Sequence, residues 1–349
     1  MNKNKKIKIM VIITLILILT ILAIVMRYNK LNNKIDGQIE EKYKVIENNN
    51  KYGISDSVGN VLISAKYYAM FIPNPSKAIF VCYYDYDEQT NTYRSKVIND
   101  HETELFSKYN NIDKIDLNEV DTTMPYEKNV LKFKEYNKYG LIDLKGNLIT
   151  KPIYDSIEGL ISKEGELLVS KEGKYGVINT KGVELIDCEY DYIAGDGYHT
   201  QEKQYSLSGY ILGEKNDNGY RYGYMTYKRK IILDIEYNDL IRIGGMNVED
   251  SEKDIFLIAQ KDGQYGLIKN KKIIIDFKFQ SIDYSGIGDL FIVKRNTKNG
   301  VYSSIGKKII SVKFDEVEVH ETYIYTKLGE SEAYYNLLGN RIDKSTIEE

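Results

Sequence analysis

Apolar residues are distributed in two ways along this chain. Ile9 to Met26 runs for eighteen residues without a charge, interrupted only by Thr14 and Thr20. From Glu41 onward the apolar residues instead form short runs, rich in Ile, Val, Tyr and Phe, bounded by Gly, Asn, Asp and Lys. The first pattern, apolar on all sides, predicts a helix nearly long enough to span a hydrocarbon core. The second is the signature of short strands joined by tight turns. No stretch after Met26 keeps a helical period.

The short runs repeat. Lys174-Tyr175-Gly176-Val177-Ile178-Asn179-Thr180-Lys181-Gly182, followed by Tyr190-Asp191-Tyr192-Ile193, is echoed by Lys138-Tyr139-Gly140-Leu141-Ile142-Asp143-Leu144-Lys145-Gly146 with Tyr154-Asp155-Ser156-Ile157. Tyr-Gly recurs at Gly53, Gly140, Gly176, Gly223 and Gly266, with weaker copies at Gly300, at Ala333 and at Lys96, where lysine takes the glycine place. The steps run from 33 to 47 residues, the span of one supersecondary unit with variable loops. A second landmark keeps the register: Tyr67, Tyr154, Tyr190, Tyr237 and Phe314 lie fourteen residues after their glycine, and Tyr109 and Phe279 thirteen after theirs.

Each unit reads as four strands. Strand a precedes the motif, as in Leu167-Leu168-Val169-Ser170; strand b is Tyr-Gly-aliphatic-aliphatic; strand c follows the Lys-Gly turn; strand d is the Tyr-Asp tetrapeptide. Four antiparallel strands repeated seven or eight times predict an all-β, propeller-like domain over residues 41–349, with an open β-solenoid of the same units as the alternative. The last unit ends after Asp343 without a strand d, so Glu41–Glu47 is expected to close the ring. Asp85–Thr92, Asp113–Lys128 and Ala194–Ser208 read as loop insertions.

Gly173-Lys174-Tyr175-Gly176-Val177-Ile178-Asn179-Thr180-Lys181-Gly182 with Tyr190-Asp191 resembles the WG repeat family, over roughly residues 41–342. The departure is consistent: tyrosine stands where the family has tryptophan, and the chain has no Trp. The resemblance implies a binding or scaffolding module and supplies no catalytic site.

Charge divides the chain at the same place as hydropathy. Residues 1–34 hold seven basic and no acidic side chains, which leaves residues 35–349 with 41 basic and 51 acidic, a net of −10. That balance excludes an electrostatic footprint for nucleic acid. Four lysines before the apolar segment against Arg27, Lys30 and Lys34 after it favour a cytoplasmic N-terminus. The expected organisation is a basic tail (1–8), a single plasma-membrane span (9–26), a stalk (27–40) and an extracytoplasmic repeat domain. Cys82 and Cys188 are too few for a disulfide framework and read as small buried hydrophobes.

Chemistry is sparse. His101, His199 and His320 have no second ligand-type neighbour at metal spacing, and the repeated Asp155, Asp191 and Asp315 read as turn-capping residues. Asp85-Tyr86-Asp87-Glu88 is an acidic cluster outside the repeat, without the spacing of a calcium loop. No phosphate-binding or nucleophile motif stands in its required context, so neither catalysis, a cofactor nor a metal is expected. What remains is tyrosine, 32 residues. The motif tyrosines should pack between units. Tyr83, Tyr84, Tyr86, Tyr93, Tyr205, Tyr210 and Tyr220 fall outside the motif and form the candidate surface for a protein partner or a cell-wall glycan. A hydrolase or lyase with its site on a propeller face is the alternative.

Overall fold

The computed structural model describes residues 41–88, 91–117, 126–160, 165–199, 205–243 and 255–347, the side chains of 197–199 and 205–208 excepted. These residues divide between two compact units, one ending at Leu105 and one beginning at Phe106. The first unit holds two antiparallel sheets. Sheet 1 is β1 (Tyr43–Asn48), β2 (Lys51–Asp56) and β3 (Val61–Tyr67); sheet 2 is β4 (Ala69–Phe71), β5 (Phe80–Asp87), β6 (Thr92–Ile98) and β7 (Glu104–Leu105).

The second unit holds six. Sheet 3 is β8 (Val130–Glu135), β9 (Lys138–Asp143) and β10 (Leu148–Tyr154), and sheet 4 is β11 (Ser156–Gly159), β12 (Glu166–Lys171), β13 (Lys174–Asn179) and β14 (Glu184–Tyr190). Sheet 5 is β15 (Tyr192–His199), β16 (Tyr205–Asn216), β17 (Gly219–Thr226) and β18 (Ile231–Tyr237). Sheet 6 is β19 (Asp239–Arg242), β20 (Phe256–Lys261), β21 (Gln264–Lys269) and β22 (Lys272–Phe279). Sheet 7 is β23 (Ser281–Tyr284), β24 (Leu290–Arg295), β25 (Lys298–Ser303) and β26 (Lys308–Phe314), and sheet 8 is β27 (Glu316–Val319), β28 (Tyr323–Leu328), β29 (Ser331–Asn336) and β30 (Arg341–Ile342).

The all-β repeat is therefore as expected, but its phase is shifted by one strand. The strand after each Tyr-Asp pairs with strand a of the following unit, as β11 does with β12 through Ile157 opposite Val169. Sheets 2 and 4 to 8 are thus d-a-b-c and sheets 1 and 3 are a-b-c, and the landmark aromatic stands where the chain leaves one sheet for the next. This placement buries six of the seven, Tyr109 being half-buried. Tyr67, Tyr154, Tyr190, Tyr237, Phe279 and Phe314 are 1–8 % exposed. They sit in apolar layers drawn from two successive sheets: Leu141, Tyr154, Ile157, Leu167 and Val169 between sheets 3 and 4, for example, or Val177, Tyr190, Ile193, Tyr210 and Leu212 between sheets 4 and 5. The motif tyrosines, expected in that core, are only half-buried at its margin, as Tyr139 and Tyr175 show.

The motif glycine has a steric cause. Two residues of strand b face four of strand c at this point, Tyr175 opposite Tyr190 and Val177 opposite Ile186, so strand c arches over Gly176. A Cβ at Gly176 would lie 2.6 Å from the Ile186 carbonyl oxygen, and the six motif glycines meet the corresponding backbone oxygen at 2.3–2.9 Å. Where the glycine is missing, strand c cannot pass. With Lys96 or Ala333 in its place, β7 and β30 are two residues long, against seven or eight in the six glycine-bearing copies. Gly182 is required for a second reason, its φ of +76°.

Turn chemistry repeats as well. The Oδ1 of Asp56, Asn99, Asp143, Asn179 and Asn336 each accepts two backbone amides across the b–c turn. The Tyr-Asp carboxylates, expected to cap their own turns, reach further. Asp191 accepts Lys174 Nζ at 2.7 Å from the preceding sheet and the Lys215 amide at 2.8 Å from the next. Asp315 accepts Lys298 Nζ and the Gly329 amide, and Asp155 accepts Lys138 Nζ. These are clamps across the sheet junctions. The lysine hydrogen bond holds all three carboxyls below their ordinary value of 3.8. A depressed folded value means stability that is present above the ordinary carboxylate range and lost as pH falls through the folded value. The midpoint of thermal unfolding should thus stay level from neutral pH to about 5 and fall below about 4. Combining Asp155→Asn, Asp191→Asn and Asp315→Asn should flatten that fall; an unchanged pH profile in the triple variant would remove the clamps from the account.

Three expectations are corrected. β1 hydrogen-bonds to β2, from Tyr43 opposite Asp56 to Asn48 opposite Lys51, so Glu41–Glu47 is the first strand a and not a closing strand. Sheet 8 needs no such strand, since it takes β27 from the unit before. The insertions Asp85–Thr92 and Ala194–Ser208 are largely extensions of hairpins: Asp85 pairs with Arg94, and β15 pairs with β16 out to His199 opposite Tyr205. Third, no helix among the described residues is long and apolar enough to cross a membrane. The single-span plasma-membrane location, with its extracytoplasmic repeat domain, is therefore not supported. The segment Ile9–Met26 on which it rested lies outside the described residues, as do the tail 1–8 and the stalk 27–40.

Candidate binding surface

The seven tyrosines singled out from the sequence do not stay together. Tyr83, Tyr84, Tyr86 and Tyr93 lie on the β5–β6 hairpin of sheet 2. Alternation alone would put Tyr83 and Tyr86 on opposite faces. A bulge prevents this: Tyr83 faces Ser95 and Asp85 faces Arg94, leaving Tyr84 without a partner, so that Tyr86 then pairs with Tyr93. One extra residue thus brings Tyr83, Tyr86 and Tyr93 to one face and sends Tyr84 away, the way bulges re-aim side chains.

The rings on that face touch. Tyr93 stacks at 6.2 Å and 15° from Tyr83, meets Tyr86 edge-on at 5.0 Å and lies 5.1 Å from Tyr68. Phe71 meets Tyr83 edge-on at 5.5 Å. Tyr68, Tyr86 and Tyr93 are each 41–45 % exposed, which is ring surface left open on a folded protein. Lys51 Nζ caps one end, 3.2 Å from the Tyr68 ring centroid, and the Tyr86 hydroxyl donates to Asn91 Oδ1 at the other. Tyr84 points elsewhere, with Lys96 Nζ 4.9 Å over its ring. The acidic cluster is occupied by Arg94, 3.7 Å from Asp85 and 4.0 Å from Asp87.

Tyr68 was not foreseen, although the sequence carried the signal. It occupies the place held by Asp155, Asp191 and Asp315 in other copies, and Lys51 occupies the place of Lys138, Lys174 and Lys298. The junction clamp of this copy has changed from an ion pair to a cation over a ring. In water such a contact contributes roughly 0.5–1 kcal/mol, so little stability is at stake in the exchange.

The remaining three are separate, in sheet 5. Tyr220 is exposed and stacks on Tyr222 at 6.0 Å and 11°, and the exposed Tyr192 meets Tyr222 edge-on at 5.8 Å. The Tyr205 side chain lies outside the described residues. Tyr210 is corrected: it is fully buried, donating its hydroxyl to Glu166 Oε2 of sheet 4, with Arg229 3.7 Å from the same carboxylate. Its site is an inward position of a central strand, which the sequence could not distinguish from an outward one. Burial raises its phenol far above the ordinary tyrosine value.

A second set of this kind ties sheet 5 to sheet 6. Tyr224 donates to Asp196 Oδ2 at 2.7 Å, and Arg242 Nε lies 3.3 Å from that oxygen. Burial raises the Asp196 carboxyl, with Arg242 and Tyr224 opposing the shift. Cys82 is a free, buried thiol, pushed up to about 12 by burial, and Cys188 is free and half-buried. Among the described residues no group of three His, Cys, Asp or Glu is placed to hold a metal ion.

Repeated d-a-b-c sheets with glycine-arched outer strands and apolar layers between successive sheets define a β-repeat protein. Residues 139–175 and 175–196 match the family described as WG containing repeat, which bears out over that stretch the resemblance read from the sequence. No match was found among curated proteins. Solved structures align at low identity. A eukaryotic initiation factor is 10 % identical with a TM-score of 0.33, covering 87 % of this chain and 85 % of its own. Dihydro-heme d1 dehydrogenase NirN in complex with DHE is 9 % identical with a TM-score of 0.31, covering 87 % and 72 %. The Dos1 propeller is 12 % identical with a TM-score of 0.27, covering 76 % and 81 %.

Proposed function

We propose that this protein is a non-enzymatic, propeller-like binding module and that the ring face of sheet 2 is where it holds a protein partner. The contiguous open face of Tyr68, Tyr83, Tyr86 and Tyr93, built by a bulge in a single hairpin, carries this reading. Tyrosine anchors of this kind supply large contact area at low conformational cost, and they dominate the energetics of protein interfaces. A glycan needs carboxylates or amides at the ring edges to take up its hydroxyls. Here Asp85 and Asp87 are turned to Arg94 and Asn91 Oδ1 takes up the Tyr86 hydroxyl, which favours a protein. The hydrolase or lyase alternative needs non-repeat polar groups converging on an open face. The sets around Glu166 and Asp196 instead hold their carboxylates largely out of water between sheets.

A photo-reactive phenylalanine analogue at position 86 should crosslink to a discrete protein in cells, whereas one at the exposed Ile305 should not. With the purified partner, combining Tyr86→Ala and Tyr93→Ala should weaken binding at least tenfold, about 1.4 kcal/mol, without lowering the unfolding midpoint. Undiminished affinity in that variant would refute the surface. Saturable binding of cell-wall oligosaccharides, lost in the same variant, would replace the protein partner with a glycan.

A further inference from the structure

Where several residues of one repeat copy depart together from the others, the cause lies outside the shared fold. One cross-strand row of sheet 5 is such a place. Opposite the second residue of strand b, strand a carries Lys134 in sheet 3, Ser170 in sheet 4 and Lys294 in sheet 7, whereas sheet 5 has Gly213 opposite Tyr222. On strand d of that row Ser156 and Ser281 give way to Tyr192. The a–b hairpin of sheet 5 also runs two pairs beyond Glu214 opposite Arg221, the place where sheet 4 turns after Lys171 opposite Lys174. This extension brings Tyr220 to the face that carries Tyr222.

The departures fit one another. A Cβ at Gly213 would lie 3.0 Å from Tyr192 Cβ and 3.2 Å from Tyr222 Cδ1, so glycine is what lets the two rings close over strand a. Tyr192 then stands at 79° to Tyr222 and Tyr220 at 11° to it, which sets ring faces at right angles, with Tyr192 and Tyr220 41 % and 38 % exposed. Burial, followed by Tyr192, Tyr220 and the half-buried Asp239, raises the Tyr222 phenol, so a carboxylate bears on the same place. Sheet 3 shows what this row holds elsewhere: Lys134 Nζ stands 5.4 Å from the Tyr139 ring centroid. Sheet 5 has lost that ammonium at Gly213 and gained two rings.

We propose that Tyr192, Tyr220 and Tyr222 form a binding site for an organic ammonium ion, a quaternary or methylated amine, which takes the place over the rings that Lys134 holds in sheet 3. Ring faces attract such a cation through their quadrupole, and its methyl groups give up few hydrogen bonds to water when they dock. Asp239 and the net negative charge of residues 35–349 add attraction at longer range. The opposing charge on this face is Lys215, opposite Tyr220, and it bears on Asp191.

Calorimetric titration of the full chain with choline chloride tests this, independently of the ring face of sheet 2. Saturable binding is expected, and the neutral analogue in which a tert-butyl group replaces trimethylammonium should bind at least about tenfold more weakly. Tyr220→Leu keeps apolar area and removes an exposed ring, so it should weaken choline about fivefold at an unchanged unfolding midpoint. Tyr192→Ser with Gly213→Lys restores the row that Ser281 and Lys294 form in sheet 7 and should abolish binding. Phosphocholine and trimethyl-lysine, titrated alongside, separate a headgroup from a modified side chain as the source, and a tighter fit of either keeps the site. Equal affinity for the neutral analogue would make the face merely apolar, and a neutral oligosaccharide bound in place of choline would make it a glycan site. Either result overturns the proposal, as would no choline binding at all or binding undiminished in both variants.

Discussion

Replacing Gly176 by valine is expected to cost about 3 kcal/mol of unfolding free energy, the upper end for an overpacked site. The obstacle is backbone: the added Cβ would meet Ile186 O at 2.6 Å and Cys188 N at 2.8 Å, and neither can swing aside as a side chain would. Alanine makes the test sharper. In an unobstructed strand, Gly→Ala gains roughly 0.5–1 kcal/mol because glycine loses more freedom on folding. At Gly176 the sign should reverse, since alanine carries the same obstructed Cβ. Gly173, with positive φ but nothing within 4 Å of a Cβ, separates the two reasons for glycine: alanine there is strained without being crowded. Denaturant midpoints of the three variants check this, and a stabilised Gly176→Ala would show that strand c does not arch over this position.

The second large effect concerns which aromatic of the repeat carries the core. Tyr154→Ala should cost about 3–5 kcal/mol, the range for deleting a buried aromatic ring. Tyr154 fills the layer between sheets 3 and 4 beside Leu141, Ile157 and Leu167. Tyr139→Ala, in the more conspicuous Tyr-Gly motif, should cost under about 2 kcal/mol, because that ring is already half in water. The ordering of the two losses in equilibrium unfolding is the readout. If Tyr139 proves the costlier, the layer between sheets is not where these contacts place it.

Much of this fold was legible from spacing, and the reasons it was not wholly legible are local. Two landmarks at fixed separation revealed the repeat and its all-β character, because turns and strand lengths are fixed by nearby residues such as Asn179 and Gly182. Pairing is not local. Nothing in Tyr154-Asp155-Ser156-Ile157 says whether Ile157 sits beside the strand before it or the strand after it, and the simpler assignment was off by one strand. The candidate surface shows the same division. Exposure of Tyr86 and Tyr93 followed from their place outside the motif, but the bulge at Tyr84 that unites them with Tyr83 depends on a register no sequence period displays. Tyr210 stands outside the motif too, yet points inward to Glu166. Tyr68 could have been found, since tyrosine in the place of the clamp aspartate is a visible departure from the repeat.

The ownership of strand d decides the architecture, and inter-strand nuclear Overhauser effects between backbone protons test it most directly. Cross-peaks linking Ile157 with Val169, Leu240 with Ala259 and Ile282 with Val293 are expected, each joining the strand after a landmark aromatic to strand a of the next unit. Cross-peaks from Ile157, Leu240 and Ile282 to strand c of their own units, with none to Val169, Ala259 and Val293, would contradict it.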